Sequence, residues 1–422
     1  MKAFVEKIKA NYHWIIVVVS FTFVFVTLGM MNNVHNIYVI PITEELGISR
    51  SAFSLTRSIC SIAYLVSNGM FVAIYRKYGF RIPAVLFTLV AGAALIWMAK
   101  ANDLIPIYLC NVILGVAEVF MNTAGISRLL TNWFESHLGK IMGVVMAASG
   151  LGGSVLSLML TGIMEKSSWR TSLVIMGIIF MAVAALVFLL VRDYPEKMKL
   201  QPFSSLEKKS GKTVKAVMSW KGAPMSVLVK QPYFYLVLAY TILSCFAAYC
   251  VSASVNAHFS DCGLNAAQCA VCYSILLFGL AVAKIILGAV RDRFGACTTI
   301  VITTAAGMVG LIFLAITNSY LMAIVSAVFL SISYCLMGFN QSLTALEMFG
   351  KEGYGSGLSI LVMCLALGNI IASPIINLIF EAIGTYKPVY VILAFVMAAC
   401  IALYIIAKKQ CDKFRKLNDA EE

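Results

Sequence analysis

Arg57, Glu118 and Lys284 each fall inside a long apolar run of a 422-residue chain. A charge at the centre of a hydrocarbon layer costs roughly 3 kcal/mol or more, so such a residue marks a ligand or ion site by default. Lys284 offers an ammonium group that attracts an anion; its other course is to extend its stem to the nearer interface. Glu118, near the middle of its run, is a candidate proton carrier, or half of a static ion pair with Lys284 or another base. Asn122, one turn on, shares its face on a continuous helix. Arg57 lies in the outer third of its run, where it draws anions inward or reaches the surface. Arg128, near the end of its run, reads as interfacial.

Neutral polar residues accompany these charges. His35, with Asn32, Asn33 and Asn36, gives the first run a polar outer half, and Gly29 would let it bend. Tyr240, Tyr249, Tyr334, Asn340, Asn369 and Ser373 are further donors for a ligand. Pro374 removes one helical hydrogen bond from its run. Cys262, Cys269 and Cys272 cluster, but they lack a fourth ligand nearby, and no metal site is expected.

Composition sets the class. Soluble domains carry about a quarter charged residues. Here charged residues are 12% and hydrophobic ones 61%, with mean hydropathy +0.91. A water-soluble enzyme is excluded. The net charge of +13 is not arranged as a nucleic-acid face. The twelve cysteines lie mostly in apolar runs and read as small buried hydrophobes. No glycine-rich phosphate loop followed by Lys-Ser/Thr occurs, nor a hydrolytic triad of recognisable spacing. The expectation is no enzymatic activity, no cofactor and no nucleotide.

The elements that must position the charges are membrane spans. A spanning helix needs about 20 mostly apolar residues. Such runs lie near 14–40, 51–75, 82–99, 105–130, 141–164 and 169–191, then near 231–257, 267–290, 297–316, 320–346, 355–380 and 387–407. The reading is an all-α membrane protein of twelve transmembrane helices. The first run is too long for a signal-peptide core. With the N-terminus inside, 24 of the 32 Lys and Arg fall in inside segments and 5 outside, so both termini face the cytoplasm by the positive-inside rule. The domains are a cytoplasmic N-terminus 1–13, a six-helix bundle 14–191, a cytoplasmic linker 192–230, a second bundle 231–407 and a cytoplasmic tail 408–422. The linker reads as a solvated tether with a short interfacial helix near 214–220.

The two bundles repeat. Gly79 and Gly295 are 216 positions apart; Phe134 and Phe349, and Gly153 and Gly368, are each 215 apart. Parallel six-helix repeats with a ligand site near the bilayer midplane are a transporter architecture.

Gly288-x-x-x-Asp292-Arg293-Phe294-Gly295 resembles the loop signature between the second and third helices of each half in the major facilitator superfamily. The N-terminal copy, Arg76-Lys77-Tyr78-Gly79-Phe80-Arg81, has Arg76 at the aspartate position. The resemblance implies a cytoplasmic gate at Gly288, Asp292, Arg293 and Gly295 with Arg76, Lys77 and Gly79. Tyr38-Val39-Ile40-Pro41-Ile42, then Gly47-Ile48-Ser49-Arg50-Ser51, is similar to the first-helix exit of bacterial monocarboxylate and oxalate–formate carriers. So are Asn132-Trp133-Phe134, Gly150-Leu151-Gly152-Gly153, Ser168-Trp169-Arg170 and Gly384-Thr385-Tyr386-Lys387-Pro388. In that branch Lys284 stands where an arginine meets the substrate carboxylate, and a lysine there suits a monocarboxylate better than a rigid dicarboxylate. The branch's proton site is an acid in span seven, and span seven here has none, which leaves Glu118 as the candidate replacement.

The expectation is a secondary transporter in the plasma (inner) membrane, a monomer moving a small organic anion by alternating access. The cargo is a monocarboxylate such as lactate or formate, or oxalate, moved by proton symport or by antiport against a counter-anion. Lys284, Arg57, Asn122, His35, Asn36, Tyr334 and Asn369 would bind it, with Glu118 coupling the proton. Two alternatives remain: proton-coupled efflux of amphipathic or cationic compounds, and a transporter-like receptor without turnover.

Overall fold

The computed structural model describes residues 12–134, 138–198, 200–203 and 222–421. The segment 214–220 expected to form an interfacial helix, the N-terminal Lys2, Lys7 and Lys9, and the side chain of Asp292 lie outside the described residues. The described chain is helical: α1 (Tyr12–Asn33), α2 (Val39–Leu46), α3 (Arg50–Tyr78), α4 (Arg81–Met98), α5 (Leu104–Glu118), α6 (Thr123–Trp133), α7 (Leu138–Lys166), α8 (Trp169–Leu190), α9 (Met225–Leu228), α10 (Pro232–Asp261), α11 (Ala266–Ala315), α12 (Tyr320–Ser333), α13 (Phe339–Ile383) and α14 (Lys387–Glu421). Short 3₁₀ turns lie at His35–Tyr38, Pro195–Met198 and Tyr334–Met337.

The sequence sets the helix ends locally. Asp103, Ser168 and Ser319 each accept a backbone N–H of their first helical turn, and Asn265 forms a reciprocal capping box with Gln268. Gly47 and Gly384 close α2 and α13 in the left-handed conformation. Among the described residues, ten helices are long and apolar enough to cross a membrane. The other two expected runs are helical but fall outside that set. Helix α3 has the length, at 29 residues, yet carries Arg57 and five serines; the fourth crossing is divided into α5 and α6. Within α11 and α13, Gly295 (φ +86°) and Gly350 (φ +70°) break the helix and separate successive crossings. Gly79 (φ +75°) shares the positive φ of Gly295, so the two positions matched by spacing also match in this backbone angle.

The chain forms two compact units, Met1–Ile48 with Leu55–Lys212, and Ser49–Ser54 with Thr213–Glu422. In the first, α1 packs along α7 and α4 along α8. Glycines permit the approach. A Cβ on Gly152 would stand 1.9 Å from the Phe25 carbonyl oxygen, and Gly29 faces Gly152 and Gly153 at 3.0 Å. Gly29 is therefore a packing residue; the first crossing breaks further on, at residues 34–38.

The start of the linker is not a solvated tether. Asp193 accepts the N–H groups of Phe80 and Arg81 at 2.8 and 2.9 Å, capping α4. Asn132 donates to the Asp193 carbonyl and Trp133 Nε1 to the Arg192 carbonyl. Phe203 pairs with this end of the unit through a backbone bond to Trp133 and a ring contact with Phe134. The Asn132-Trp133-Phe134 motif is thus the anchor of the linker. Charge count alone hid this, because the holding groups are backbone atoms and aromatic rings.

In the second unit α10 packs on α13 and α14, and α11 on α12 and α14. Its core holds Tyr233, Phe234, Tyr240, Phe349 and Tyr404. The unit also holds a polar cluster around Ser49–Ser54. Arg50 makes a two-point bond to Asp261 (2.7 and 2.9 Å), and Ser51 donates its backbone N–H and its hydroxyl to Glu381. Asn377 bridges Ser54 and Tyr386. Burial pushes the Tyr386 phenol up to about 12, against the opposing pull of Arg50, so it remains a neutral donor at physiological pH.

Candidate functional site

Three interruptions of otherwise continuous helices place the charged and polar residues. The first lies at residues 34–38, the second at 119–122, the third at 334–338. The second and third are 215 positions apart, the offset of the sequence repeat, so the two units break their fourth helices at the same place. A broken helix exposes backbone N–H and C=O groups that a continuous one would satisfy. In membrane transporters, breaks at corresponding positions of two repeats mark the ligand site.

In the first unit the charges pair with each other. Arg57, on α3, donates to the Met31 carbonyl at 3.1 Å, just before the first break, and approaches Glu118 Oε2 at 3.7 Å, at the second. Cys60, one turn along α3, directs its thiol at the same carboxylate oxygen, Sγ to Oε2 being 3.7 Å. One guanidinium thereby joins two interruptions, which accounts for a costly cation in the middle of α3. Thr56 and His35 are 3.2 Å apart on the same side of α3. Asn36 is buried in the first break. Asn122 does not share a helix face with Glu118, because the helix stops between them. Its Oδ1 accepts the Gly125 N–H and caps α6. The static-pair reading of Glu118 acquires a partner, Arg57, and Cys60 is a neighbour that sequence reasoning set aside as an inert hydrophobe.

In the second unit Lys284 stands apart. Phe278, Val282, Ile285 and Ile286 form the exposed stripe of α11, whereas Leu277, Leu280, Ala281 and Leu287 are buried. Lys284 is half-buried and in helical register with the buried stripe. Helix α11 packs against the third break, which holds Cys335. No carboxylate pairs with Lys284 among the described residues. Tyr334 is buried in the same break. Gln341, buried in the first turn of α13, folds back to donate Nε2 to the Leu336 carbonyl at 2.6 Å and to Cys245 Sγ at 3.1 Å. Sequence reading named its neighbour Asn340 and missed Gln341. The available signal was that two consecutive amides follow a glycine within an apolar run. Asn369 is buried in the latter part of α13.

The gate residues are less engaged. Arg293 is exposed and stacks on the Phe294 ring, and Lys77 stacks on Tyr78. Arg76 is exposed, and a Cβ on Gly288 would meet open space. A Cβ on Gly79 would fall 2.7 Å from Asp193 Oδ2, so the N-terminal copy of the loop, with Arg76 in the aspartate position, receives its carboxylate from the linker. Arg128 lies over the Tyr75 ring at 5.0 Å, a cation–π contact in place of free solvation.

Each unit is built of long apolar helices, and its fourth helix is interrupted at the same repeat position beside buried polar groups. The sequence profile of the Major Facilitator Superfamily matches residues 19–339 and 241–419, and the chain belongs to that family. It is a multi-span helical membrane protein of the transporter class. A hexuronate transporter of Bacillus subtilis is 24% identical over 216 residues, half of each chain. A probable transporter of Saccharomyces cerevisiae, MCH2, is 27% identical over 196 residues, covering 44% of this chain and 40% of the other. The chain thus matches about half the length of these relatives or less. Among solved structures, the nucleoside transporter NupG superposes with TM-score 0.72 at 12% identity, covering 94% of this chain and 99% of that one. A bacterial homolog of the human lysosomal transporter Spinster superposes with TM-score 0.69 at 14% identity, covering 95% and 96%. At these identities the likeness is one of fold.

Proposed function

We propose that this protein is a secondary transporter of a small organic anion in the plasma membrane, working by alternating access with both termini in the cytoplasm. The observation that carries the reading is Lys284, a half-buried cation on α11, the helix that packs against the third break, with no carboxylate paired to it among the described residues. A half-buried cation within an apolar run and without an internal counter-ion suits an external one. A ligand carboxylate supplies it, with the freed N–H groups at the start of α13 as further donors. The B. subtilis relative is named for hexuronate, an organic acid anion, which supports a carboxylate over a neutral cargo.

Arg57 then serves coupling rather than capture. It is held by Glu118 and the Met31 carbonyl, and protonation of Glu118 would release it. Proton symport uses that step, and exchange of two anions does not require it. Cation efflux is the weaker reading, since Arg57 and Cys60 already face the Glu118 carboxylate. The test is uptake of labelled monocarboxylates into proteoliposomes containing the purified protein. Saturable uptake or counterflow of at least one acid is expected; failure of every carboxylate tested would refute the proposal.

A further inference from the structure

We propose that the third break selects carboxylates bearing a neighbouring hydroxyl, that is 2-hydroxy acids and sugar acids, over plain carboxylates. The inference deepens the anion-carrier reading and rests on it. Its basis is Gln341. The Leu336 carbonyl can only accept a hydrogen bond, so the atom facing it at 2.6 Å must be Gln341 Nε2. That bond fixes the amide's orientation and leaves Oε1 beside the break. Gln341 is 4% exposed, and Oε1 has no hydrogen-bond partner among the described residues. A dry, unpartnered acceptor is costly to maintain, and helix packing does not need one here. It needs a donor.

The same break holds the opposite chemistry as well. Lys284 lies on α11, which packs against this break, and α13 begins there without a side-chain cap for its first N–H groups. Donors suit a carboxylate; a lone carbonyl oxygen suits a hydroxyl. A 2-hydroxy acid carries both groups on adjacent carbons. A plain acid such as propionate fills the donor half and leaves Oε1 unpaired. A site that hydrogen-bonds a substrate hydroxyl discriminates strongly against the analogue lacking it, because the buried partner is then stranded. An acetate or a propionate is therefore the disfavoured ligand, and glycolate or lactate the favoured one.

The experiment compares matched pairs, lactate against propionate and glycolate against acetate, as competitors and as labelled substrates in proteoliposomes. The wild-type protein should prefer the hydroxylated member of each pair by about tenfold or more. Gln341→Met should remove most of that preference by weakening the hydroxylated acid, with the plain acid little changed. Equal affinity for both members in the wild-type protein, or an undiminished preference in Gln341→Met, would overturn the inference while leaving the anion reading intact. Should the variant not fold, the wild-type pairs decide alone. If no acid of either kind binds to folded protein, both the inference and the reading beneath it fall.

Discussion

Arg57 and Lys284 are both cations on apolar helices, and their surroundings give them different work. Arg57 is matched by Glu118, with the two side chains 16% and 11% exposed. Removing one partner of such a pair strands the other, at about 3–5 kcal/mol when burial is complete and less here. Arg57→Ala and Glu118→Ala should each lower the unfolding temperature in detergent, and the double variant should lose less than the sum of the two. Simple additivity would mean that the pair is not coupled. For transport, Glu118→Gln should abolish accumulation driven by a pH gradient yet preserve anion exchange. Unchanged accumulation would clear Glu118 of the coupling role. The sequence exposed all three intramembrane charges, because a Lys, Arg or Glu in an apolar run is visible without coordinates. It did not expose which were paired. Pairing depends on side chains 61 residues apart, brought together by a helix break that no local propensity announces.

At the level of the helices, the breaks and the close crossings were legible to different degrees. Helix boundaries followed the caps, with Asp103, Ser168, Asn265 and Ser319 where such residues belong. The interruption at residues 119–122 lies far from the run's proline, Pro106 in the first turn of α5, and Asn122 there looked like a face residue until it proved to be a cap. Gly29 looked like a hinge and is a contact. Two measurements check the packing account. Gly152→Ala should destabilise the protein markedly, since its Cβ would meet the Phe25 carbonyl at 1.9 Å, whereas Gly162→Ala, facing open space, should be tolerated. Comparable unfolding temperatures for the two variants would contradict the close-crossing assignment. Asp193→Ala removes the acceptor of two N–H groups at the start of α4 and should cost about 1–2 kcal/mol. Protection of the Phe80 and Arg81 amides from hydrogen exchange should fall with it, and unaltered protection would argue against the cap.

For the whole molecule, the fold class was available from composition, span count and one repeat offset. The offset of about 215 residues recurs in the glycine turns and in the two broken fourth helices. The proposed orientation rests on charge, with 24 basic residues in the segments read as inside and 5 in those read as outside. A green fluorescent protein fused to the C-terminus should therefore fluoresce, and a periplasmic phosphatase fused at the same point should be inactive. The reverse pattern would invert the topology. Substrate identity was the least legible property, because it depends on a handful of polar atoms whose facing the sequence does not specify. The measurement that bears most directly on the account is counterflow of labelled lactate in proteoliposomes, for the wild-type protein, Lys284→Ala and Lys284→Arg. Robust counterflow in the wild type, loss of at least tenfold in Lys284→Ala and partial recovery in Lys284→Arg are expected. Undiminished counterflow in Lys284→Ala would contradict the claim that this ammonium holds the transported anion.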